Sequence, residues 1–220
     1  MKNQFLITVL LGTTMLSNAQ FSMGPKFGLG YANVKQTGDG AANNPMPILS
    51  PTVGLDTKVH IAPIFSIQTA IQATILGYKT ANNGVNSTTY LGYVQIPLKL
   101  NFQLKLAPKL HIGIGAGPYV GYFVGGAVQD NSVPGSDGYK VKAKNTVSVS
   151  DQANTDRIGY NRYVDYGIVV APFIQIAFLQ IAPTATFGLA NTVPTYTGRS
   201  SPTSKNLYYG LQVSFFIGGI

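Results

Sequence analysis

Residues 90–106, YLGYVQIPLKLNFQLKL, decide the fold class of this 220-residue chain. The even positions of this stretch from Val94 to Leu106 are all apolar, whereas the odd positions from Gln95 to Lys105 carry mostly amide and ammonium groups. Successive side chains of a β-strand point to opposite faces. The stretch is therefore predicted to be a strand with one continuous apolar face and one polar face.

The same two-residue period recurs along most of the chain. Apolar side chains alternate with polar ones or glycine over residues 53–61, 67–75, 110–122, 164–176, 181–189 and 207–215. An opening strand near residues 21–34 brings the total to about eight, the smallest common size of a membrane barrel. The sequence therefore predicts an all-β fold, a closed antiparallel up-and-down transmembrane β-barrel. Backbone polar groups cannot remain unpaired in hydrocarbon, so the sheet must close on itself. The apolar faces would then point to lipid and the polar faces to the interior.

The connections between these strands alternate in length. Short ones fall at residues 62–64, 107–108 and 178–179, and long polar ones at 36–47, 80–87, 126–161 and 193–205. Outer-membrane barrels sort their connections in this way, with short turns at one end and long loops at the other. The segment 126–161 is long for a structureless connection, so we expect it to be mobile or functional.

Aromatic residues on the apolar faces also favour a membrane barrel. Tyrosines fall toward the long-connection ends and phenylalanines toward the short-turn ends: Tyr31, Tyr90, Tyr122, Tyr166 and Tyr209, then Phe65, Phe102, Phe178 and Phe215. Tyrosine, with an apolar ring and a hydrated hydroxyl, suits the membrane–water boundary. At about 3.3 Å per residue and a tilt near 40°, Tyr90 to Phe102 spans about 30 Å, enough to flank an apolar band. The alternative is that these rings pack a soluble core.

Composition narrows the function classes. The net charge is +8 with only 10% charged residues, and the lysines are scattered apart from Lys140, Lys142 and Lys144. This pattern lacks the basic stripe with interleaved aromatics that nucleic-acid binding needs, so no nucleic-acid partner is expected. The three clustered lysines are interpreted as a solvated loop, with attraction to lipid phosphates as the alternative. The chain has no cysteine, which excludes disulfides and thiolate metal sites.

The first residues resemble an export signal. Lys2 precedes an apolar run over residues 5–16, which is followed by small residues up to Ala19. This arrangement is typical of a secretory signal peptide, and the run is short for a spanning helix, although an uncleaved anchor is the alternative. We therefore expect a signal peptide at 1–19, a barrel domain at 20–220, and integral placement in a bacterial outer membrane after cleavage.

The polar faces supply the candidate site residues, which are predicted to line the interior in a structural role. They are Asp56, Lys58, His60, Gln68, Gln72, Gln95, Lys99, Asn101, Gln103, His111, Asp165, Gln175 and Gln212. Ser66, Asp56 and one of the two histidines, His60 or His111, supply the residue types of an esterase-like set, but the spacing offers no support for the hydrogen bonds it needs. Two histidines without a carboxylate at ligand spacing also make a weak metal site. We expect no catalytic residue, metal or cofactor.

Three segments resemble a known family. Residues 93–102, YVQIPLKLNF, are similar to the Y-x-E-I-P-L-L-L-K-Y strand of the PorT-like outer-membrane β-barrel family of Bacteroidota. Residues 115–122, GAGPYVGY, and 164–169, VDYGIV, resemble two further strands of that family. One departure is Gln95, where a glutamate is usual. The resemblance implies an outer-membrane barrel of about eight strands and says little about activity.

The sequence predicts a membrane protein of structural or interaction type, with a plugged polar interior and long outer loops. Its expected partners are outer-membrane lipid and other envelope proteins, and no small-molecule ligand can be named. Two alternatives remain. The first is a narrow channel or small-solute binder, favoured by the charged interior. The second is a soluble exported lipocalin-like barrel, which requires the apolar face to point inward.

Overall fold

The computed structural model describes residues 20–38, 44–82, 85–130, 138–148, 151, 158–198 and 200–218. The expected signal peptide at residues 1–19 lies outside this range. The long strands are β1 (Gln20–Thr37), β2 (Ile48–Ala62), β3 (Phe65–Asn82), β4 (Val85–Ala107), β5 (Leu110–Asp130), β9 (Val164–Ile176), β10 (Leu179–Gly188) and β12 (Thr203–Phe215). The short strands are β6 (Tyr139–Ala143), β7 (Thr146–Val147), β8 (Gly159–Asn161) and β11 (Thr195–Tyr196). No helix in these ranges is both long and apolar enough to cross a membrane.

The eight long strands form a closed ring. Their order is β4-β3-β2-β1-β12-β10-β9-β5, and β5 pairs back with β4. All eight pairings within the ring are antiparallel. Closure leaves no free sheet edge, so the backbone donors and acceptors of the wall find partners within it. The predicted fold class, a closed up-and-down barrel, is confirmed.

The apolar faces of the long strands point outward over most of the wall. On β4, Leu98 is 50% exposed, whereas its neighbour Lys99 is 3% exposed. Leu100, Ile112 and Ile168 are likewise exposed large apolar residues. A lipocalin-like barrel requires the reverse arrangement. The wall is therefore built to face an apolar medium.

Pro97 lies in the middle of β4, where a proline removes a hydrogen-bond donor from the sheet. The ladder with β3 is interrupted there, since pairing runs up to Thr69 with Leu98 and resumes at Gln72 with Gln95. The hydroxyl of Thr69 donates to the carbonyl of Pro97 at 2.8 Å. This side-chain bond keeps the two strands joined across the gap.

Two predicted loops contain β-structure. In the segment 80–87, β3 runs to Asn82 and β4 begins at Val85, with Thr80 paired to Ser87. The hydroxyls of Thr80 and Ser87 are 2.9 Å apart. The prediction of a long loop was wrong here because strands that extend past a membrane into water need no apolar face, and polarity was taken as a sign of a loop.

The segment 126–161 also contains strands. β6 pairs with the end of β5, β8 runs parallel to β6, and β7 pairs with β11 in a separate two-stranded sheet. Asp151 accepts hydrogen bonds from the ammonium of Lys144 and from the backbone and hydroxyl of Ser148. These contacts, led by the Lys144 hydrogen bond, hold the pKa of the Asp151 carboxyl below its usual range. The segment was expected to be mobile or functional, and its described parts contain short strands and an ion pair between Lys144 and Asp151.

An apolar cluster occupies the interior at the long-connection end, which the polar-interior prediction did not anticipate. It contains Ala32, Ile48, Leu76, Leu91, Tyr93, Phe123, Val128, Val141 and Tyr208. The in–out alternation slips near this level, where Gly77 and Gly125 have φ of 145° and 153° and the β4–β5 register shifts at Gly92/Tyr93. A β-carbon on Gly77 would lie 1.9 Å from the Thr89 carbonyl oxygen. Beyond these irregularities Val128 faces inward and Tyr90 is partly buried, whereas Leu76, Leu91 and Tyr93 occupy inward positions of the regular two-residue period.

One tyrosine predicted to lie at the membrane–water boundary does not face outward. Tyr90 is partly buried and packs against this interior cluster. Tyr31, Tyr122, Tyr166 and Tyr209 are exposed on the outer surface, as are the four predicted phenylalanines Phe65, Phe102, Phe178 and Phe215. The two aromatic bands thus exist on the outer wall without Tyr90.

We predict that Leu98→Arg destabilises the barrel by about 2–4 kcal/mol in lipid vesicles, the cost of an arginine on the lipid face near the bilayer midplane. The free energy of unfolding in urea, measured on vesicle-inserted protein, gives the value. Ser200→Arg adds the same charge at an exposed position outside the wall and serves as the control. Equal stability of the two variants would show that Leu98 does not face lipid.

Candidate functional site

The barrel interior gathers most of the polar residues singled out from the sequence. Those whose side chains are buried are Asp56, Lys58, Gln68, Gln72, Gln95, Lys99, Asn101, Gln103, Asp165, Gln175 and Gln212. His60 and His111 are only partly buried, near the short turns. Buried polar groups are costly unless they are hydrogen-bonded, so their partners decide what the interior can do.

Asp56 is the centre of one hydrogen-bonded group. Its Oδ2 accepts from Gln68 Nε2 at 2.8 Å and from Ser214 Oγ at 2.6 Å. The Lys26 ammonium lies 3.6 Å from the same oxygen and donates to Gln72 Oε1 at 3.1 Å. This carboxylate therefore joins β2, β3, β12 and β1 across the interior.

Lys58 is held near the short turns by amides and aromatic rings. Its Nζ donates to Gln175 Oε1 at 2.7 Å and also to Gln180 Oε1. The same nitrogen lies 4.7 Å from the ring centroid of Phe173 and 4.9 Å from that of Phe216. Ammonium–ring attraction of this kind strengthens when both partners are removed from water. The cation is thus enclosed at its end of the barrel.

Asp165 is the centre of a second group, on β9. Its Oδ2 accepts from the Tyr119 hydroxyl at 3.0 Å and from Asn206 Nδ2 at 2.9 Å. Above it, Asn161 Nδ2 donates to the Tyr93 hydroxyl at 2.7 Å. Asn161 belongs to β8, so its hydrogen bond to Tyr93 connects the outer strands to the interior.

A cavity of about 10 Å³ lies between the two groups, lined by Lys26, Gln72, Gln95, Pro97, Lys99, Tyr119, Val169, Thr184, Thr186 and Gln212. This volume holds about one water molecule. The Nε2 of Gln95 is buried there without a hydrogen-bond partner among the described residues. The described interior holds three buried lysines, Lys26, Lys58 and Lys99, and two buried aspartates, Asp56 and Asp165.

The residues of the conceivable esterase set do not form a relay. Ser66 Oγ donates to Gln103 Oε1 at 3.5 Å and accepts from Asn101 Nδ2 at 3.2 Å. His60 Nδ1 is buried without a hydrogen-bond partner in the described part of the chain, although His60 and Ser66 are neighbours across β2 and β3. No group of three or more histidine or carboxylate side chains in the described part of the chain could hold a metal ion.

Several interior residues were missed by the sequence reasoning. Lys26 is buried on β1 between the exposed Met23 and Phe27, so the two-residue period would have placed it inside. Gln180 on β10 follows the same rule. Phe173 and Phe216 break it, because large apolar rings at interior positions carry no polar signal in the sequence. Their role depends on Lys58, which lies far away along the chain.

The closed ring, the outward apolar wall and the polar interior together define an integral β-barrel of the outer membrane. The family model described as "Outer membrane protein beta-barrel domain" matches residues 16–193, well over half of the chain. The chain therefore belongs to this family. No curated protein sequence matches it.

Solved barrels have a similar fold at low sequence identity. The outer membrane protein OprG from Pseudomonas aeruginosa is 9% identical with a TM-score of 0.51, over 90% of this chain and 96% of that one. Neisserial surface protein A is 11% identical with a TM-score of 0.46, over 90% and 98%. The attachment invasion locus protein Ail of Yersinia pestis is 7% identical with a TM-score of 0.39, over 89% and 98%. The similarity to OprG supports the barrel fold.

We predict that Asp56→Leu costs about 3–5 kcal/mol of unfolding free energy, the range for removing one partner of a buried ion pair. The substitution leaves the Lys26 ammonium without its carboxylate and deprives Gln68 and Ser214 of an acceptor. Urea unfolding in lipid vesicles provides the measurement.

The double variant Lys26→Met/Asp56→Leu is the matched control. It should recover part of the loss, because one uncompensated charge is removed. Recovery stays incomplete since Asp56 also attracts Lys58 and Lys99. Wild-type stability of the single Asp56→Leu variant would contradict a structural role for this group.

Proposed function

We propose that this protein is a structural or interaction barrel of the outer membrane, with an interior plugged by its own side chains and an outer surface that contacts other envelope components. The observation that supports the proposal is the dense interior packing, in which the cavity between the two polar groups has room for about one water molecule. In a barrel of about eight strands, the interior is just wide enough for side chains to fill it. The wall, in this view, is a scaffold and not a pore.

Two layers of different chemistry make up the proposed plug. Near the short turns, Lys58 sits between two aromatic rings and donates to two glutamines. At the long-connection end, Tyr93 and Phe123 pack edge to face with ring centroids 5.5 Å apart. A hydrated ion moving along the axis would have to displace both layers, which argues against the channel alternative.

The strands beyond the outer aromatic band offer a surface for interaction. The β3–β4 hairpin extends past the tyrosines, and β6, β8 and the β7–β11 pair are hydrogen-bonded to the barrel or to each other. Val147 is completely buried within this region. An ordered surface is preorganised for contact, since little conformational entropy is lost on binding. Outer-membrane lipid and other envelope proteins are the proposed partners.

Three finer assignments belong to the same proposal. The chain is a PorT-like member from Bacteroidota, on the strength of the quoted strands at residues 93–102, 115–122 and 164–169. It is exported with cleavage of residues 1–19. It has no enzymatic activity, because Ser66, His60 and Asp56 are engaged in other contacts or lack the hydrogen bonds of a relay.

We predict that the purified barrel gives no steady conductance in planar lipid bilayers. The Lys58→Ala/Tyr93→Ala variant shortens one side chain in each layer of the plug and should give measurable current if those layers are what blocks the axis. Insertion of both proteins is checked by the slower gel migration that follows heating. Steady conductance of the unmodified barrel, at a level matching its inserted amount, would contradict the proposed plug and favour the channel.

A further inference from the structure

A groove of about 420 Å³ lies on the outside of the barrel, at the long-connection end of β9. It is lined by Asn145, Thr146, Arg162, Val164, Tyr166, Ala190, Asn191 and Thr195. These residues come from three separate parts of the chain: the β6–β7 connection, the start of β9 and the segment after β10. The groove is distinct from the interior site, since Val164 and Tyr166 are 48% and 54% exposed on the outer wall.

Backbone hydrogen bonds fix the three parts relative to one another. The amide of Thr195 donates to the Asn145 carbonyl at 2.9 Å, next to the β7–β11 pairing. The amide of Arg162 donates to the Thr192 carbonyl at 2.8 Å, and the Leu189 amide to the Tyr166 carbonyl at 2.8 Å. The groove is therefore a preformed feature of the fold.

Arg162 supplies a cation with unused donors. One Nη of its guanidinium donates to Thr195 Oγ1 at 3.0 Å. Its Nε is buried and has no hydrogen-bond partner, and no ion pair links Arg162 to a carboxylate in the described ranges. A buried donor on a charged group is costly to leave unsatisfied. The planar fork of donors on an arginine matches a phosphate or carboxylate.

Asn191 adds a neutral donor. Its Oδ1 already accepts from the backbone amides of Val193 at 3.1 Å and Ser204 at 2.9 Å. These two bonds fix the orientation of the side-chain amide and leave its NH₂ as the end available to a ligand. Together with Arg162, this arrangement provides donors for an anion whose remaining oxygens face water.

The position of the groove indicates which molecule would carry the anion. The long-connection end of an outer-membrane barrel is its extracellular end, and the tyrosine band marks the headgroup level. Tyr166 belongs to this band, and Tyr122 and Tyr163 form a tilted ring pair with centroids 5.9 Å apart. A ligand in the groove would therefore have its polar part beside Arg162 and an apolar part along the wall below Tyr166.

We propose that the groove binds the phosphate of an outer-leaflet lipid headgroup, with Arg162 and Asn191 as donors and the acyl chains lying along the apolar wall below Tyr166. The inference rests on the outer-membrane placement of the barrel and goes beyond it by naming a site. It does not depend on whether the interior is plugged.

The test is native mass spectrometry of the full mature barrel released from detergent micelles, with phosphatidylglycerol as the probe. Phosphatidylglycerol should remain bound to the wild type. Arg162→Gln should retain it about tenfold less, the effect expected from losing one charge-assisted hydrogen bond. Lys79→Gln removes an equal charge from an exposed position on β3, outside the groove, and should retain the wild-type level.

Two further arms separate the possible sources of binding. Diacylglycerol with the same acyl chains lacks the phosphate and should bind weakly; binding equal to that of phosphatidylglycerol would overturn the proposal. Inorganic phosphate at the concentration of the lipid should not displace it; complete displacement would indicate a free-phosphate site and overturn the lipid assignment. Equal retention by Arg162→Gln and wild type would also overturn it.

A folding control keeps this result separate from the proposed function. Arg162→Gln should show the same heat-dependent gel migration and the same silence in planar bilayers as the wild type. Loss of lipid binding with both properties intact assigns the effect to the groove. Conductance of the wild type would refute the plug while leaving the groove result unaffected.

Discussion

The structure depends on one constraint: a backbone amide or carbonyl in hydrocarbon has no water to bond with, so every one of them must find a partner in the protein. Antiparallel pairing of eight long strands meets this demand only because β5 returns to β4 and closes the sheet. Where Pro97 removes a donor, the hydroxyl of Thr69 bridges the gap. Closure then divides the side chains into two sets, one facing lipid and one enclosed.

Enclosure determines the chemistry of the interior. A ring of this size leaves space that side chains can fill, and charged groups placed there must satisfy one another. Asp56 and Asp165 each collect neutral donors, while Lys58 uses amides and aromatic rings in place of a carboxylate. Because most apolar side chains face outward, these interior polar contacts hold the strands in one arrangement. The two proposed interaction sites accordingly lie outside this interior, at Arg162 and on the outer strands.

Much of this could be predicted from alternation alone. The period in β4 predicted the outward Leu98 and the inward Lys99, and the polar residues of β2 and β3 follow the same rule. Prediction failed where alternation slips or long-range packing decides. Beyond Gly125 the period shifts, which turns Val128 inward and leaves Tyr90 partly buried. Leu76, Leu91 and Tyr93 follow the period, but apolar side chains at inward positions carry no polar signal in the sequence. The hairpin around residues 80–87 was mistaken for a loop because its polar strands extend into water. The groove at Arg162 depends on segments that are distant in sequence.

The most direct test is a cysteine scan of residues 94–104, one substitution at a time, each carrying a nitroxide label in lipid vesicles. The chain has no native cysteine, so every label is unique. Collision with dissolved oxygen, which concentrates in hydrocarbon, should rise at even positions and fall at odd ones. Collision with a water-soluble nickel chelate should stay low at both. High oxygen access at position 99 with low access at position 98 would contradict the outward orientation of the apolar face.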